Sequence, residues 1–158
     1  MSATGVSYRR ARASDARACA TIIRDWGEET SWLGPVDELE PMAAFWAELL
    51  SSETAWVAER GGAVIGFCVR EDDNIGGLYV ARAARGRGVG RALLDRAKED
   101  RDWITVWAYR ANAAARRFYR REGLVEISCE PEEETGLMNI EHRWTRGAPP
   151  APDAEWTR

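Results

Sequence analysis

LYVARAARGRGVGR, residues 78–91, is the stretch of this sequence that decides the fold. It opens on three apolar residues, Leu78-Tyr79-Val80, which predict a short strand. An amphipathic run from Val89 to Lys98 follows and predicts a helix. The Gly-rich segment between them, Arg85 to Gly90, therefore falls at the N-terminus of that helix.

A helix N-terminus of this composition suits an anion. The first backbone N–H groups of a helix lack intrahelical partners, and the helix dipole favours negative charge there. Glycines leave the main chain open to close approach, and arginines add permanent positive charge. The residues concerned are Arg85, Gly86, Arg87, Gly88, Gly90 and Arg91. The pattern predicts a phosphate-bearing ligand, most simply a pyrophosphate, and an ordinary Gly-rich turn is the alternative.

The segment resembles the Q/R-x-x-G-x-G/A signature of the GNAT superfamily of acyl-CoA-dependent N-acetyltransferases, as Arg85-x-x-Gly88-x-Gly90. It also lies between a strand and a helix, where that family has it. Two other phosphate loops do not fit. No Lys-Ser/Thr pair closes the loop, and Arg91 occupies the third glycine position of a dinucleotide-binding G-x-G-x-x-G.

A second segment, NAAARRFYRREG at residues 112–123, resembles the family pattern N-x-x-A-x-x-F/Y-Y-x-x-x-G. Ala115, Phe118 and Tyr119 fall on one face of the predicted helix, because they are three and four residues apart. Asn112 suits a helix cap or a contact to the cofactor. Tyr119 is a candidate for chemistry, with a packed core aromatic as the alternative.

The predicted order of elements is β-α-α-β-β-β-α-β-α-β-β, which is the order of the GNAT fold. We predict strands at 7–12, 54–60, 63–70, 74–81, 103–108, 124–129 and 138–145, and helices at 15–26, 37–51, 89–100 and 113–122. The resemblance implies an α/β (α+β) fold: a mixed, mostly antiparallel sheet of about six to seven strands with about four helices, strands four and five splayed. One domain is expected over 1–146, and the Pro- and Ala-rich end, 147–158, is expected to be a disordered tail.

Composition narrows the function classes. A net charge of −4 over 158 residues argues against a nucleic-acid partner. Cys19, Cys68 and Cys129 are an odd number inside apolar patterns, so we expect free thiols rather than disulfides or metal ligands. The single histidine, His142, is expected on the surface of a strand. Most of the eight Trp are expected in the core.

No segment is apolar over a membrane-spanning length and no signal peptide is evident, so a cytoplasmic protein without membrane contact is expected.

The resemblance implies a chemistry. Acetyl-CoA is expected as co-substrate, with no metal, and the amine attacks the thioester directly without an acyl-enzyme. A main-chain N–H of the fourth strand polarises the thioester, and Tyr119 is the acid that protonates the departing thiolate. The implied cofactor-binding residues are Leu78, Tyr79, Val80, Arg85, Gly86, Arg87, Gly88, Val89, Gly90, Arg91 and Asn112.

The sequence determines the acceptor and the general base less closely than the cofactor-binding residues. Aromatic and acidic residues after the first helix suit a cationic amine on a small molecule or a peptide, and these are Trp26, Glu28, Glu29 and Trp32. Neither the predicted fourth strand, 74–81, nor the end of the fifth, Trp107-Ala108-Tyr109, carries a carboxylate. Asp73, Glu28 or Glu29 acting through a water are the candidates for the base, with solvated surface acids as the alternative. A non-catalytic acetyl-CoA-binding sensor or regulatory module remains an alternative function, and the chain is expected to be a monomer or homodimer.

Overall fold

The computed structural model describes residues 5–149. Seven strands occur in these residues: β1 (Val6–Arg10), β2 (Thr54–Arg60), β3 (Ala63–Glu71), β4 (Asn74–Val80), β5 (Trp103–Tyr109), β6 (Val125–Pro131) and β7 (Met138–Thr145). Four helices accompany them: α1 (Ala16–Glu28), α2 (Leu39–Ser52), α3 (Val89–Lys98) and α4 (Ala113–Arg121). Short 3-10 turns lie at Ala13–Asp15 and Arg82–Ala84. None of the helices in 5–149 is long and apolar enough to span a membrane.

The strands follow the hydrogen-bonding order β1-β2-β3-β4-β5-β7-β6. The β1–β2, β2–β3, β5–β7 and β6–β7 pairs are antiparallel, whereas β4 and β5 are parallel. The parallel register covers Asn74↔Thr105 and Ile75↔Val106, although β4 extends to Val80 and β5 to Tyr109. So short a register is what the predicted splay of these strands requires. The predicted fold class is confirmed.

The described residues form two compact units. The first comprises 5–72 and Gly76–Glu99, and the second comprises Asp73–Ile75 and 100–149. The prediction of a single domain over 1–146 stays a prediction. Of the predicted tail, 147–149 are exposed and the remainder lies outside the described residues.

Aromatic packing organises the first unit. Trp46 of α2 packs edge-on against Phe67 of β3, with 5.4 Å between ring centroids. Phe67 in turn stacks on Tyr79 of β4 at 5.6 Å. Gly77 makes room for this cluster, since a Cβ there would lie 2.8 Å from the Trp46 ring. Trp46 is the buried tryptophan of residues 5–149, and the other tryptophans in that range are half-buried.

The start and end of α1 differ from expectation. The predicted helix begins at residue 15, whereas α1 begins at Ala16, after the 3-10 turn Ala13–Asp15. The Asp15 carboxylate is the group that secures this turn, because it accepts the Arg12 N–H at 2.8 Å and two bonds from Arg9. Gly27 was expected to end the helix, yet α1 continues to Glu28. Glycine at position 27 leaves room for the Val36 side chain, since a Cβ there would lie 2.7 Å from it.

The second unit is built on β5, β7, β6 and α4. Its core includes Ile104 and Val106 of β5 and Ile140 of β7. His142, two residues beyond Ile140 on the same face of β7, is fully buried. Its expected place on the surface was therefore wrong, because the alternation of β7 carries the imidazole inward.

Candidate active site

The segment between β4 and α3 contains two glycines in the left-handed region. Gly86 has φ 76° and Gly88 has φ 82°. L-residues with a Cβ rarely adopt this conformation, so glycine is needed at both positions. Gly88 is the N-cap of α3, and the chain turns into the helix at that residue.

The N-terminus of α3 follows directly on Gly88. The N–H of Ala92 donates to the carbonyl of Gly88 at 3.0 Å, which is the first helical bond of α3. The amides of Val89, Gly90 and Arg91 belong to the first turn of α3, the end at which the helix dipole is positive. A helix N-terminus of this kind suits an anion, and the phosphate site predicted here stays a prediction.

Helix α3 is held closely against β3, which fixes the position of its N-terminus. Val89 and Leu93 are buried. Gly66 of β3 permits the approach, since a Cβ there would lie 3.3 Å from each of these side chains and 3.1 Å from the Tyr79 carbonyl. A side chain at position 66 would push the helix outward. With its side chain buried, Val89 can serve a ligand only through its backbone.

Arg85 is anchored on both sides. Its Nε donates to the carbonyl of Val80 at 3.0 Å, and a terminal nitrogen donates to Glu29 Oε1 at 2.5 Å. Arg82 lies 3.8 Å from the second oxygen of Glu29. Two of the cationic residues that flank the candidate phosphate site thus share one carboxylate. Sequence reasoning missed this pairing, because nothing local connects residues 29 and 85.

The three β4 residues expected near the thioester are half-buried. The ring of Tyr79 lies between Phe67 and Trp26, whose ring centroid is 5.5 Å away. The chain after β4 is tied to β3, since Ala81 N–H donates to the Ile65 carbonyl at 2.8 Å. The main chain of Leu78, Tyr79 and Val80 therefore has a fixed course towards the Gly-rich segment.

The structure brings together two of the four predicted acceptor residues, Trp26 and Trp32. Trp26 packs edge-on against Trp32 with 6.1 Å between centroids, and Glu29 lies between them in the sequence. Glu28 is different: its side chain is 66% exposed, with Arg24 at 4.0 Å as an ion-pair partner. We therefore keep Trp26, Glu29 and Trp32 as the acceptor group and regard Glu28 as a surface residue.

In the second unit, Asn112 caps α4. Its side-chain oxygen accepts the Ala115 N–H at 3.1 Å. The predicted cap is confirmed, and a contact to the cofactor stays a prediction. Asp73, another candidate base, forms an ion pair with Arg101 at 3.1 Å.

Tyr119 lies on the inner face of α4 and is 5% exposed. Its ring is 5.3 Å from that of Phe118 and 5.2 Å from the imidazole of His142. Glu126, opposite His142 in the β6–β7 register, has a side chain that is 2% exposed. A buried acid and a buried imidazole therefore accompany the candidate catalytic tyrosine, and sequence reasoning had assigned neither a role. The alternation of β6 and β7 was the signal that could have paired them.

Two arginines fix the Glu126 carboxylate. Arg116 donates two hydrogen bonds to it, at 3.0 and 3.2 Å, and Arg120 donates one at 3.1 Å. Burial raises the pKa of Glu126, but the hydrogen bonds from both arginines outweigh burial and hold the pKa below its usual value. Burial also lowers the pKa of His142, which the charge of Glu126 opposes. Glu126 is therefore ionised and His142 is neutral at pH 7.

A family model described as "Acetyltransferase (GNAT) domain" matches residues 51–126, from the end of α2 to β6. The matched segment contains both the Gly-rich N-terminus of α3 and the α4 motif. Residues 51–126 are thus similar to a GNAT acetyltransferase domain.

Other proteins are similar to this chain in sequence or in fold. The peptidyl-lysine N-acetyltransferase YiaC of Escherichia coli K12 is 28% identical over 132 residues, which are 78% of this chain and 88% of YiaC. A GCN5-related N-acetyltransferase from Rhodopseudomonas palustris superposes with a TM-score of 0.74 at 24% identity, covering 92% of this chain and 98% of the other. YncA of Salmonella typhimurium, solved with its cofactor acetyl-CoA, superposes with a TM-score of 0.70 at 22% identity, covering 96% and 99%. These two structural likenesses concern the fold.

Residues 5–149 contain no cluster of three or more His, Cys, Asp or Glu that could hold a metal ion. The cysteines in this range are free thiols. Burial raises the pKa of Cys19 and of Cys68 to about 12. Both thiols are therefore protonated at neutral pH, and neither is a nucleophile.

Proposed function

We propose that this chain transfers an acetyl group from acetyl-CoA directly to a primary amine of a small molecule or a peptide. The observation that carries the proposal is the N-terminus of α3. A left-handed Gly88 opens this helix inside the segment that matches the GNAT domain. Acetyl-CoA contains a diphosphate that suits a helix N-terminus.

The cofactor-binding residues act mainly through the main chain. The amides of Val89, Gly90 and Arg91 bind the diphosphate, with Gly86 and Gly88 shaping the approach. Arg87 and Arg91 are exposed and add charge. The main chain of Leu78, Tyr79 and Val80 directs the pantetheine arm and offers an N–H to the thioester oxygen.

The reaction that we propose is a single displacement. The neutral amine attacks the carbonyl carbon, the new C–N bond forms, and the C–S bond breaks as the tetrahedral intermediate collapses. Tyr119 donates its phenolic proton to the departing thiolate, while the nitrogen loses its own proton to solvent or to a bound water. The protonated state of Cys19 and Cys68 supports a route without an acyl-enzyme, because neither thiol can accept the acetyl group.

The acceptor group supplies recognition of the amine. Aromatic faces attract cations, and the carboxylate of Glu29 pairs with an ammonium. Trp26, Glu29 and Trp32 therefore suit an amine that arrives charged and loses its proton on binding. The lysine side chain of a peptide is the first acceptor to test, because YiaC is a peptidyl-lysine N-acetyltransferase.

A thiol-release assay tests the proposal. Acetyl-CoA is mixed with the protein and a panel of amines that includes lysine peptides, free amino acids, polyamines and aminoglycosides. We expect free CoA thiol and N-acetylated amine in equal amounts with at least one amine class. Binding of acetyl-CoA by calorimetry without thiol release from any amine would favour the sensor function instead.

A further inference from the structure

His142 occupies a fully enclosed position in the second unit. The β5–β7 register places it opposite Val106, and the β6–β7 register places it opposite Glu126. Its Nδ1 is 3.1 Å from the carbonyl oxygen of Ile140. A carbonyl only accepts hydrogen bonds, so Nδ1 carries the proton and the tautomer of the neutral ring is determined.

The other ring nitrogen faces Glu126. Nε2 lies 3.6 Å from Glu126 Oε2, and by geometry it makes no hydrogen bond within residues 5–149. A neutral Nε2 therefore presents a lone pair to an ionised carboxylate. Arg116 pairs with the same oxygen, Oε2, at 3.0 Å, and Arg120 pairs with Oε1 at 3.1 Å, so both oxygens of Glu126 are held in place.

Tyr119 completes the arrangement. Its ring is tilted by 49° against the imidazole, with 5.2 Å between the centroids. The charged and titratable groups around His142 are thus Glu126 from β6 and Arg116, Arg120 and Tyr119 from α4. From β5, the Val106 backbone hydrogen-bonds the imidazole and raises the pKa of His142. Burying an incompletely bonded imidazole costs free energy that an apolar side chain would not. The position therefore calls for an explanation beyond the filling of space.

We propose that His142 is a positioning residue for Tyr119. The Ile140 carbonyl fixes the imidazole at one nitrogen, and Glu126, held by two arginines, confines it at the other. The Tyr119 ring packs against this fixed imidazole, and the contact orients the phenol for proton donation. This inference rests on the proposed role of Tyr119 in acetyl transfer.

A double-mutant cycle measures the coupling between the two side chains. His142→Phe keeps an aromatic ring and removes both nitrogens, and Tyr119→Phe removes the phenolic oxygen. We expect His142→Phe to lower kcat about tenfold with the KM for acetyl-CoA unchanged, and to have little further effect in the Tyr119→Phe background. Ile104→Val on β5 is the control for a change in the same buried layer, and it should leave kcat within about twofold.

Equal losses in both backgrounds would overturn the inference, because they would mean that His142 acts without Tyr119. That outcome leaves the proposed function intact. If Tyr119→Phe itself has normal kcat, the proposed acid is wrong, and the positioning role falls with it.

A spectroscopic measurement on the unsubstituted protein tests the fixation of the His142 ring even if His142→Phe folds poorly. The sequence contains one histidine, so the imidazole ¹⁵N signals of the full-length protein report His142 alone. We expect the Nδ1–H tautomer at pH 8 and a displaced titration midpoint in Glu126→Gln. The Nε2–H tautomer, or a midpoint that Glu126→Gln does not change, would contradict the proposed fixation of the ring.

Discussion

Glu29 Oε1 lies 2.5 Å from a terminal nitrogen of Arg85, and Glu29 Oε2 lies 3.8 Å from Arg82. The Glu29 carboxylate, a member of the candidate acceptor group, thus forms ion pairs with two arginines beside the candidate phosphate site. We expect a diphosphate bound at this site to compete with Glu29 for the Arg85 guanidinium. Binding of the cofactor would free Glu29 to pair with the ammonium of the acceptor.

Glu29→Gln should therefore have opposite effects on the two substrates. Affinity for acetyl-CoA should rise by up to about fivefold, because an exposed ion pair contributes up to about 1 kcal/mol. The KM for the amine should rise. Calorimetry with acetyl-CoA and steady-state kinetics with the best amine measure the two effects. Glu28→Gln is the matched control one residue earlier, and an equal response to both changes would contradict the role of Glu29.

Arg87→Gln should raise the KM for acetyl-CoA about tenfold and leave kcat nearly unchanged, since the charge contributes to binding rather than to chemistry. Arg121→Gln at the end of α4 removes the same charge from another exposed arginine and should have no effect. The comparison is made by thiol-release kinetics at fixed amine concentration. If Arg87→Gln behaves like Arg121→Gln, Arg87 has no part in cofactor binding.

Tyr119→Phe should lower kcat about a hundredfold with both KM values little changed, because general acid catalysis typically contributes a factor of this size or more. The loss should be largest for acceptors whose reaction is limited by departure of the thiolate. Thermal unfolding of the variant should match the parent, which separates chemistry from packing. An undiminished kcat would assign Tyr119 to the core alone.

The stability of the protein should decrease as the pH falls below about 6.5. The pKa of His142 is lowered in the fold from 6.5, so the unfolded chain binds more protons below that pH. The stability linked to His142 is fully present above pH 6.5 and is lost as the pH falls. Glu126, whose pKa is lowered from 4.5, adds a further loss below about pH 4.5. Urea unfolding between pH 5 and 8 should show the first decrease in the parent and a flatter profile in His142→Phe.

The sequence predicted what local patterns encode. The α3 N-terminus was predictable because the glycines and arginines that form it are consecutive, and the cap of α4 was predictable because Asn112 lies three residues before Ala115. The pairing of Glu29 with Arg85 joins residues that are 56 positions apart. Only the packing of α1 and β4 within the first unit brings them together.

The surroundings of Tyr119 were predicted incompletely for a related reason. A lone histidine in a strand of polar and apolar residues suggests exposure, yet His142 is buried. Its burial depends on Glu126 in the neighbouring strand and on two arginines of α4, so no single segment reveals it. Ion pairs that span three elements are set by tertiary register rather than by local pattern.

Backbone amide NMR during titration with acetyl-CoA tests the central claim most directly. If the N-terminus of α3 binds the diphosphate, the amide signals of Val89, Gly90 and Arg91 shift strongly with acetyl-CoA and stay in place with acetyl-pantetheine, which lacks the diphosphate. Saturable binding of acetyl-CoA that leaves those three amides unshifted would contradict the account.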